Sequence, residues 1–185
     1  LPFLPFDGQY VISSRDALSL SGVPQSLIVV GGGVIGMELG QAYAKLGAKV
    51  TVVEMLDRIL PTVPQTLTEP LLNKLRRLNV KIHTGAKAGG AEIRDGQAHI
   101  SVTLADGTQT VLPADKILVT VGRRPNTSGL GLENTRVEID KRGFIGVDAK
   151  RRTADPSILA IGDVASEPQL AHKASAEGLV AAAVV

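Results

Sequence analysis

Cysteine is absent from the 185 residues. That excludes structural disulfides, thiolate metal sites, cysteine nucleophiles and any thiol–disulfide chemistry carried by this chain alone. Tryptophan is absent as well, and the aromatic residues are only Phe3, Phe6, Tyr10, Tyr43 and Phe144. A stacking surface for single-stranded nucleic acid is therefore not expected. The histidines, His83, His99 and His172, are too scattered to build a metal centre. Charge of one sign is lacking too. Twenty Lys and Arg balance 18 Asp and Glu to a formal +2, which points to no polyanionic partner. No apolar run reaches the ~18 residues of a membrane span. The N-terminus lacks the basic-then-apolar pattern of a signal peptide, so a cytoplasmic location is expected. What is present is an ordinary globular composition, 44% hydrophobic and 21% charged, at a length that fits one domain or one domain plus a remnant. The chain begins at Leu1 and ends in the apolar run 179–185, and we read it as a fragment of something longer.

The hydrophobic pattern gives an α/β protein. Leu27–Val30 is a short apolar run that suits a buried parallel strand. It leads into Gly31-Gly32-Gly33, after which Val34, Ile35, Leu39, Ala42, Tyr43 and Leu46 recur at helical spacing up to Gly47. Lys49–Glu54 is a second β-rich run, so 27–54 reads as a βαβ unit. A helix is expected over 65–79, its apolar stripe formed by Leu67, Leu71, Leu72, Leu75 and Leu78. Strands are expected at 10–12, 80–83, 90–94, 98–104, 108–112 and 116–121. Asp95-Gly96 and Asp106-Gly107 mark the turns of an antiparallel meander. Residues 122–157 read as loops with a short strand at 144–147. A last strand at 158–161 precedes a helix from about Ala171.

Gly31-x-Gly33-x-x-Gly36 stands between a strand and a helix, the context that makes this triad a dinucleotide fingerprint. The first glycine allows the tight turn. The second admits a pyrophosphate to the backbone, and the third lets helix and strand pack closely. Glu54 ends the next strand, 23 residues after Gly31. An acid there accepts from the adenosine ribose and repels a 2′-phosphate, which favours NAD over NADP. Glu38 reads equally as a ligand-side carboxylate or as a favourable partner of the helix dipole. Gly122-Arg123-Arg124-Pro125-Asn126 is either a loop lining the same site or an ordinary turn with solvated arginines. Asp163 is either an acceptor for a sugar-like hydroxyl or a turn residue, and His172 alone does not read as a catalyst. No general base, nucleophile triad or paired carboxylates emerge, and no catalytic residue is expected in this chain.

Taken together, Val29–Glu38, Val52-Val53-Glu54, Val121–Asn126, Ala160-Ile161-Gly162-Asp163 and Leu170-Ala171-His172-Lys173-Ala174 occur in an order that resembles the flavin-dependent pyridine nucleotide–disulfide oxidoreductases. Glu54 and the Leu-Ala-His-Lys-Ala stretch are most similar to the dihydrolipoyl dehydrogenase branch. The resemblance implies a Rossmann-like NAD domain over 22–147, in which a three-stranded meander replaces one crossover. Segments 1–21 (a connector) and 148–185 would belong to the FAD domain. It implies that Gly31, Gly32, Gly33, Val34, Ile35, Gly36, Met37 and Glu38 hold NAD, that Glu54 takes the adenosine ribose, Ala86 the adenine, and Gly122 the nicotinamide ribose. Asp163 would bind the FAD ribityl chain, and Gln169, Leu170, Ala171 and His172 would lie along the flavin. Gln169 departs from the Met usual there. By the same resemblance the redox cysteines, the first FAD motif and the dimer domain lie in the remainder of the polypeptide. The parent would be a homodimer, and a component of a 2-oxoacid dehydrogenase complex. This chain alone would then be inactive. The alternatives are the same piece of a mercuric reductase or a transhydrogenase, and a free-standing NAD-binding module.

Overall fold

A computed structural model describes all residues, 1–185. Its first element is strand β1 (Val11–Ile12), followed by a one-turn helix α1 (Ser14–Ala17). Ser13 caps α1, and Asp16 returns the bond to the Ser13 N–H at 2.8 Å. Strand β2 (Ser26–Val30) leads to helix α2 (Val34–Lys45), then strand β3 (Lys49–Val53), helix α3 (Gln65–Arg77) and strand β4 (Lys81–His83). The meander β5 (Lys87–Arg94), β6 (Gln97–Thr103) and β7 (Gln109–Ala114) comes next, and strand β8 (Lys116–Val119) follows it. Five strands form one parallel sheet in the order β1-β8-β2-β3-β4; the meander forms a separate antiparallel sheet.

The two cores explain why the central strands are apolar at nearly every residue. Alternate side chains of a strand point to opposite faces. Leu27 and Val29 of β2, Val50 and Val52 of β3 and Leu118 of β8 face one core, with Met37, Tyr43 and Leu75 from the helices. Ile28, Val30, Val53, Ile117 and Val119 face the other, against Ala98, Ile100 and Val102 of β6. Helices therefore cover one face of the parallel sheet and the meander covers the other. The chain from β4 to β8 passes through the meander where a crossover helix would otherwise run.

The chain divides into two units, Leu1–Gly122 and Arg123–Val185. The second has a small core of Ile145, Ala160 and Ala165, and one long helix, α4 (Ala171–Ala182). Several expectations are corrected here. The segments 144–147 and 158–161 are not strands; each offers one isolated bridge, Ile139 with Ile145 and Arg152 with Leu159. Helix α3 ends at Arg77 because Asn79 turns left-handed at φ 56°. Leu67 is exposed, since Thr68 takes the inward position of that turn. β5 begins earlier than Gly90 and absorbs Gly89-Gly90 as a register shift between Ala88 and Ala91. No helix is long and apolar enough to cross a membrane.

Candidate nucleotide-binding site

β2 ends where its chain must turn sharply into α2. Gly31 makes that turn at φ 108°, a conformation L side chains rarely adopt. Its N–H donates to the Val53 carbonyl at 2.9 Å, which ties the turn to β3. The Thr120 hydroxyl lies 3.1 Å from both the Val30 and Gly31 carbonyls and shares its proton between them. That fixes the turn to the end of β8. Gly36 sits so close beneath the turn that a Cβ would overlap the Gly31 carbonyl oxygen and lie 2.7 Å from Thr120 Oγ1. A Cβ on Gly33, by contrast, would meet nothing within 4 Å. Gly33 precedes the helix without a side-chain cap, so the first-turn N–H groups of α2 are left to an external acceptor.

These residues border a cleft of about 590 Å³ at the carboxyl ends of β2, β3 and β8. β3, which follows β2 in the chain, lies on one side of it and β8 on the other, and a reversal of strand order of this kind is where open α/β sheets bind ligands. Gly31, Gly33, Glu54, Ala86 and Gly122 all line it, together with Thr120, Lys87 and an apolar wall of Phe3, Met55 and Leu56. Glu54 is 9% exposed. One of its oxygens accepts from the Gly32 N–H at 2.5 Å, the other from the Leu56 N–H at 2.7 Å. A carboxylate has about four acceptor positions, so two remain for ligand hydroxyls. Ala86 is placed by its N–H bond to the Glu54 carbonyl at 2.9 Å.

Other candidates lie outside the cleft lining. Gly32 is buried with its N–H already engaged. The Met37 side chain is in the helix-side core and its N–H donates to Gly33, so neither faces a ligand. Val34 is half exposed and Ile35 partly buried on the first turn. Glu38 is exposed in the second turn, beyond the reach of a first-turn dipole contact.

In the second unit, Asp163 sits in a short turn (Gly162–Val164) and pairs with Arg123 at 3.0 Å. The Gln169 amide donates to the Asp163 carbonyl at 3.3 Å. Leu170 is the residue before α4, and Ala171 and His172 are exposed in its first turn. The turn is held from beneath by Glu177, which accepts from the Gly162 N–H at 2.6 Å. Lys173 and Arg151 flank it at 3.0 and 3.1 Å. Burial opposes the charge on Glu177, but the Gly162 N–H, Lys173 and Arg151 outweigh it and hold its carboxyl below its usual range. No group of His, Asp and Glu that could hold a metal ion is present.

The sequence model of the family described as pyridine nucleotide-disulphide oxidoreductase matches residues 4–178. The chain belongs to that family. Among curated proteins, pyridine nucleotide-disulphide oxidoreductases named dihydrolipoyl dehydrogenase are similar to it. That of Thermus scotoductus is 47% identical over 96% of this chain and 39% of its own length. That of Geobacillus stearothermophilus is 44% identical over 100% of this chain and 39% of its own. Among solved structures, LpdA from Mycobacterium tuberculosis aligns with a TM-score of 0.85 and 33% identity over 98% of this chain and 39% of that one. The flavoprotein disulfide reductase RclA of Escherichia coli aligns at 0.82 and 28% over 95% of this chain and 39% of that one. The chain thus spans about two fifths of the length of the relatives it matches. Thr120, Phe3 and Glu177 are not among the residues that the sequence motifs mark. Thr120 directly follows β8 and could have been sought beside the glycine turn. Glu177 is the lone acid of α4. Phe3 carries no local signal.

Proposed function

We propose that this chain is the nucleotide-binding portion of a dihydrolipoyl dehydrogenase-like enzyme, with NAD held in the cleft of Leu1–Gly122. The observation that carries the reading is the convergence of Gly31, Gly33, Glu54, Ala86 and Gly122 on one cleft. The open space at Gly33 is what a close-lying pyrophosphate needs, and the uncapped start of α2 gives it donors. Glu54 keeps acceptor capacity for ribose hydroxyls, and its charge opposes a 2′-phosphate. When bound, the nicotinamide supplies hydride acceptance; the residues of this chain bind and orient it.

We extend the proposal to the second unit, where Asp163, Gln169, Leu170, Ala171 and His172 surround one helix start and would contribute to an FAD site completed by the remainder of the polypeptide. The same reading takes 22–147 as the NAD domain, with β1 added to its sheet and Leu1 and Phe3 to its cleft, and the whole protein as a homodimer serving a 2-oxoacid dehydrogenase complex. Calorimetric titration of the chain with NADH and NADPH tests the central claim. NADH is expected to bind tighter by about tenfold or more. Equal affinity, or a preference for NADPH, refutes the role given to Glu54.

A further inference from the structure

Both backbone polar groups of Gly32 are taken by the segment that follows β3. Its N–H donates to Glu54 Oε2 at 2.5 Å, and its carbonyl accepts from the Leu60 N–H at 2.8 Å. The space beside its α-carbon is closed: a Cβ there would lie 2.9 Å from Ile59 Cγ2 and 3.1 Å from Glu54 Oε2. The second Glu54 oxygen accepts from the Leu56 N–H, and the Leu56 carbonyl accepts from the Gly85 N–H at 2.7 Å. Glu54 is buried and belongs to no ion pair. A carboxylate out of water without a counter-ion requires donors, and two backbone N–H groups serve it here. The glycine turn, the end of β3 and the approach to β5 therefore meet on one side chain.

We propose that Glu54 is a positioning residue for the glycine turn as well as an acceptor toward the nucleotide, and that its two roles separate by chemistry. The hydrogen bond to Gly32 sets the turn for any ligand whose phosphate lies against it. The negative charge selects against a phosphate on the adenosine ribose. The inference rests on the NAD reading of the cleft. It has a consequence that a ribose contact alone lacks. Replacing Glu54 with a small neutral residue does not convert the cleft to NADPH; it loosens the turn and weakens both nucleotides.

Reduced nicotinamide mononucleotide has a phosphate but no adenosine ribose, so it isolates the positioning role. In the Glu54→Ala chain its dissociation constant is expected to rise about tenfold or more. Glu54→Gln keeps a carbonyl oxygen for the Gly32 N–H and gives up the acceptor at Leu56, whose amide should exchange faster while that of Gly32 does not. It should bind the mononucleotide within about threefold of the unsubstituted chain while losing the NADH-over-NADPH preference. Glu54→Asp keeps the charge but draws back from Gly32, so it should keep the preference and lose mononucleotide affinity. It serves as the test if Glu54→Ala does not fold. Amide hydrogen exchange gives a readout that needs no ligand: Gly32 and Leu56 should exchange faster in Glu54→Ala and Glu54→Asp. Mononucleotide affinity within about twofold in both variants, or unchanged exchange at Gly32, overturns the positioning role. If the unsubstituted chain binds neither NADH nor the mononucleotide, the NAD reading fails, and the exchange at Gly32 still decides the inference.

Discussion

Replacing Gly36 by alanine tests the packing of α2 against β2 most directly. The new methyl would overlap the Gly31 carbonyl oxygen, and would lie 2.7 Å from Thr120 Oγ1 and 3.0 Å from Val29 Cγ1. Carbon contacts relax at about 3.5–4.0 Å, so α2 must retreat by about 1 Å or the turn must deform. Overpacking costs about 1–3 kcal/mol, and a backbone obstacle puts this case at the upper end. Alanine returns about 1 kcal/mol in helix propensity, which leaves a net loss of about 2 kcal/mol. For a unit of this size that lowers the melting temperature by roughly 8 °C. Gly33→Ala is the control. Gly33 has an ordinary φ of −75° and nothing within 4 Å of its Cβ position. Its loss as a cap and the reduced entropy of the unfolded chain offset each other, so melting should move by about 2 °C or less. Its methyl nevertheless enters the cleft, and NADH affinity should fall about tenfold. The assay is a circular-dichroism melt paired with NADH titration for both variants. Gly36→Ala melting with the unsubstituted chain, or Gly33→Ala binding NADH as well as that chain does, would refute the reasoning.

Glu177 has a folded-state pKa depressed below its ordinary 4.5, so its contribution is fully present above that value and is lost as the pH falls through the folded pKa. Protection of the α4 amides, taken relative to intrinsic exchange at each pH, should therefore fall in acid, and in Glu177→Gln it should be lower already at neutral pH and less acid-dependent; an unchanged protection profile would show that the carboxylate does not hold the turn. Ile117 is fully buried against the meander, and Ile117→Ala should cost about 2–5 kcal/mol in urea unfolding, a shift below 1 kcal/mol contradicting the two-faced core. Purified alone, the chain should not oxidise dihydrolipoamide with NAD, because it has no cysteine to form a redox pair, and it should be colourless, because the residues from Asp163 to His172 are proposed as only part of an FAD site. A stoichiometric flavin absorbance, or turnover, would count against that reading.

The parallel strands were legible because burial on both faces leaves them apolar at nearly every position, and β2 shows this most plainly. The meander was legible through Asp95-Gly96 and Asp106-Gly107, whose residues take left-handed or turn conformations as written. The early start of β5 was hidden, since Gly89-Gly90 reads locally as a break and only pairing with β6 recruits it. Residues 158–161 carry strand propensity, yet a strand needs a neighbour, and only Arg152 bridges to them. In the cleft, the glycine spacing and Glu54 could be read from the sequence, because each glycine has its own steric reason. The inward turn of Glu54 could not, since its partner Gly32 is 22 residues away and the bond exists only once β2 and β3 lie side by side. Glu177 was silent for the same reason, its partner Gly162 standing 15 residues upstream.

The division after Gly122 also has a practical side. Every residue that borders the candidate nucleotide cleft, from Leu1 and Phe3 to Gly122, lies before it, and a single peptide bond joins that stretch to the rest. The cleft is therefore portable as one uninterrupted piece of polypeptide, suited to grafting or separate expression. The piece must keep its first residues. A version trimmed to begin at residue 22 would discard β1, bare the β8 edge of the sheet to other chains, and open the wall that Phe3 closes.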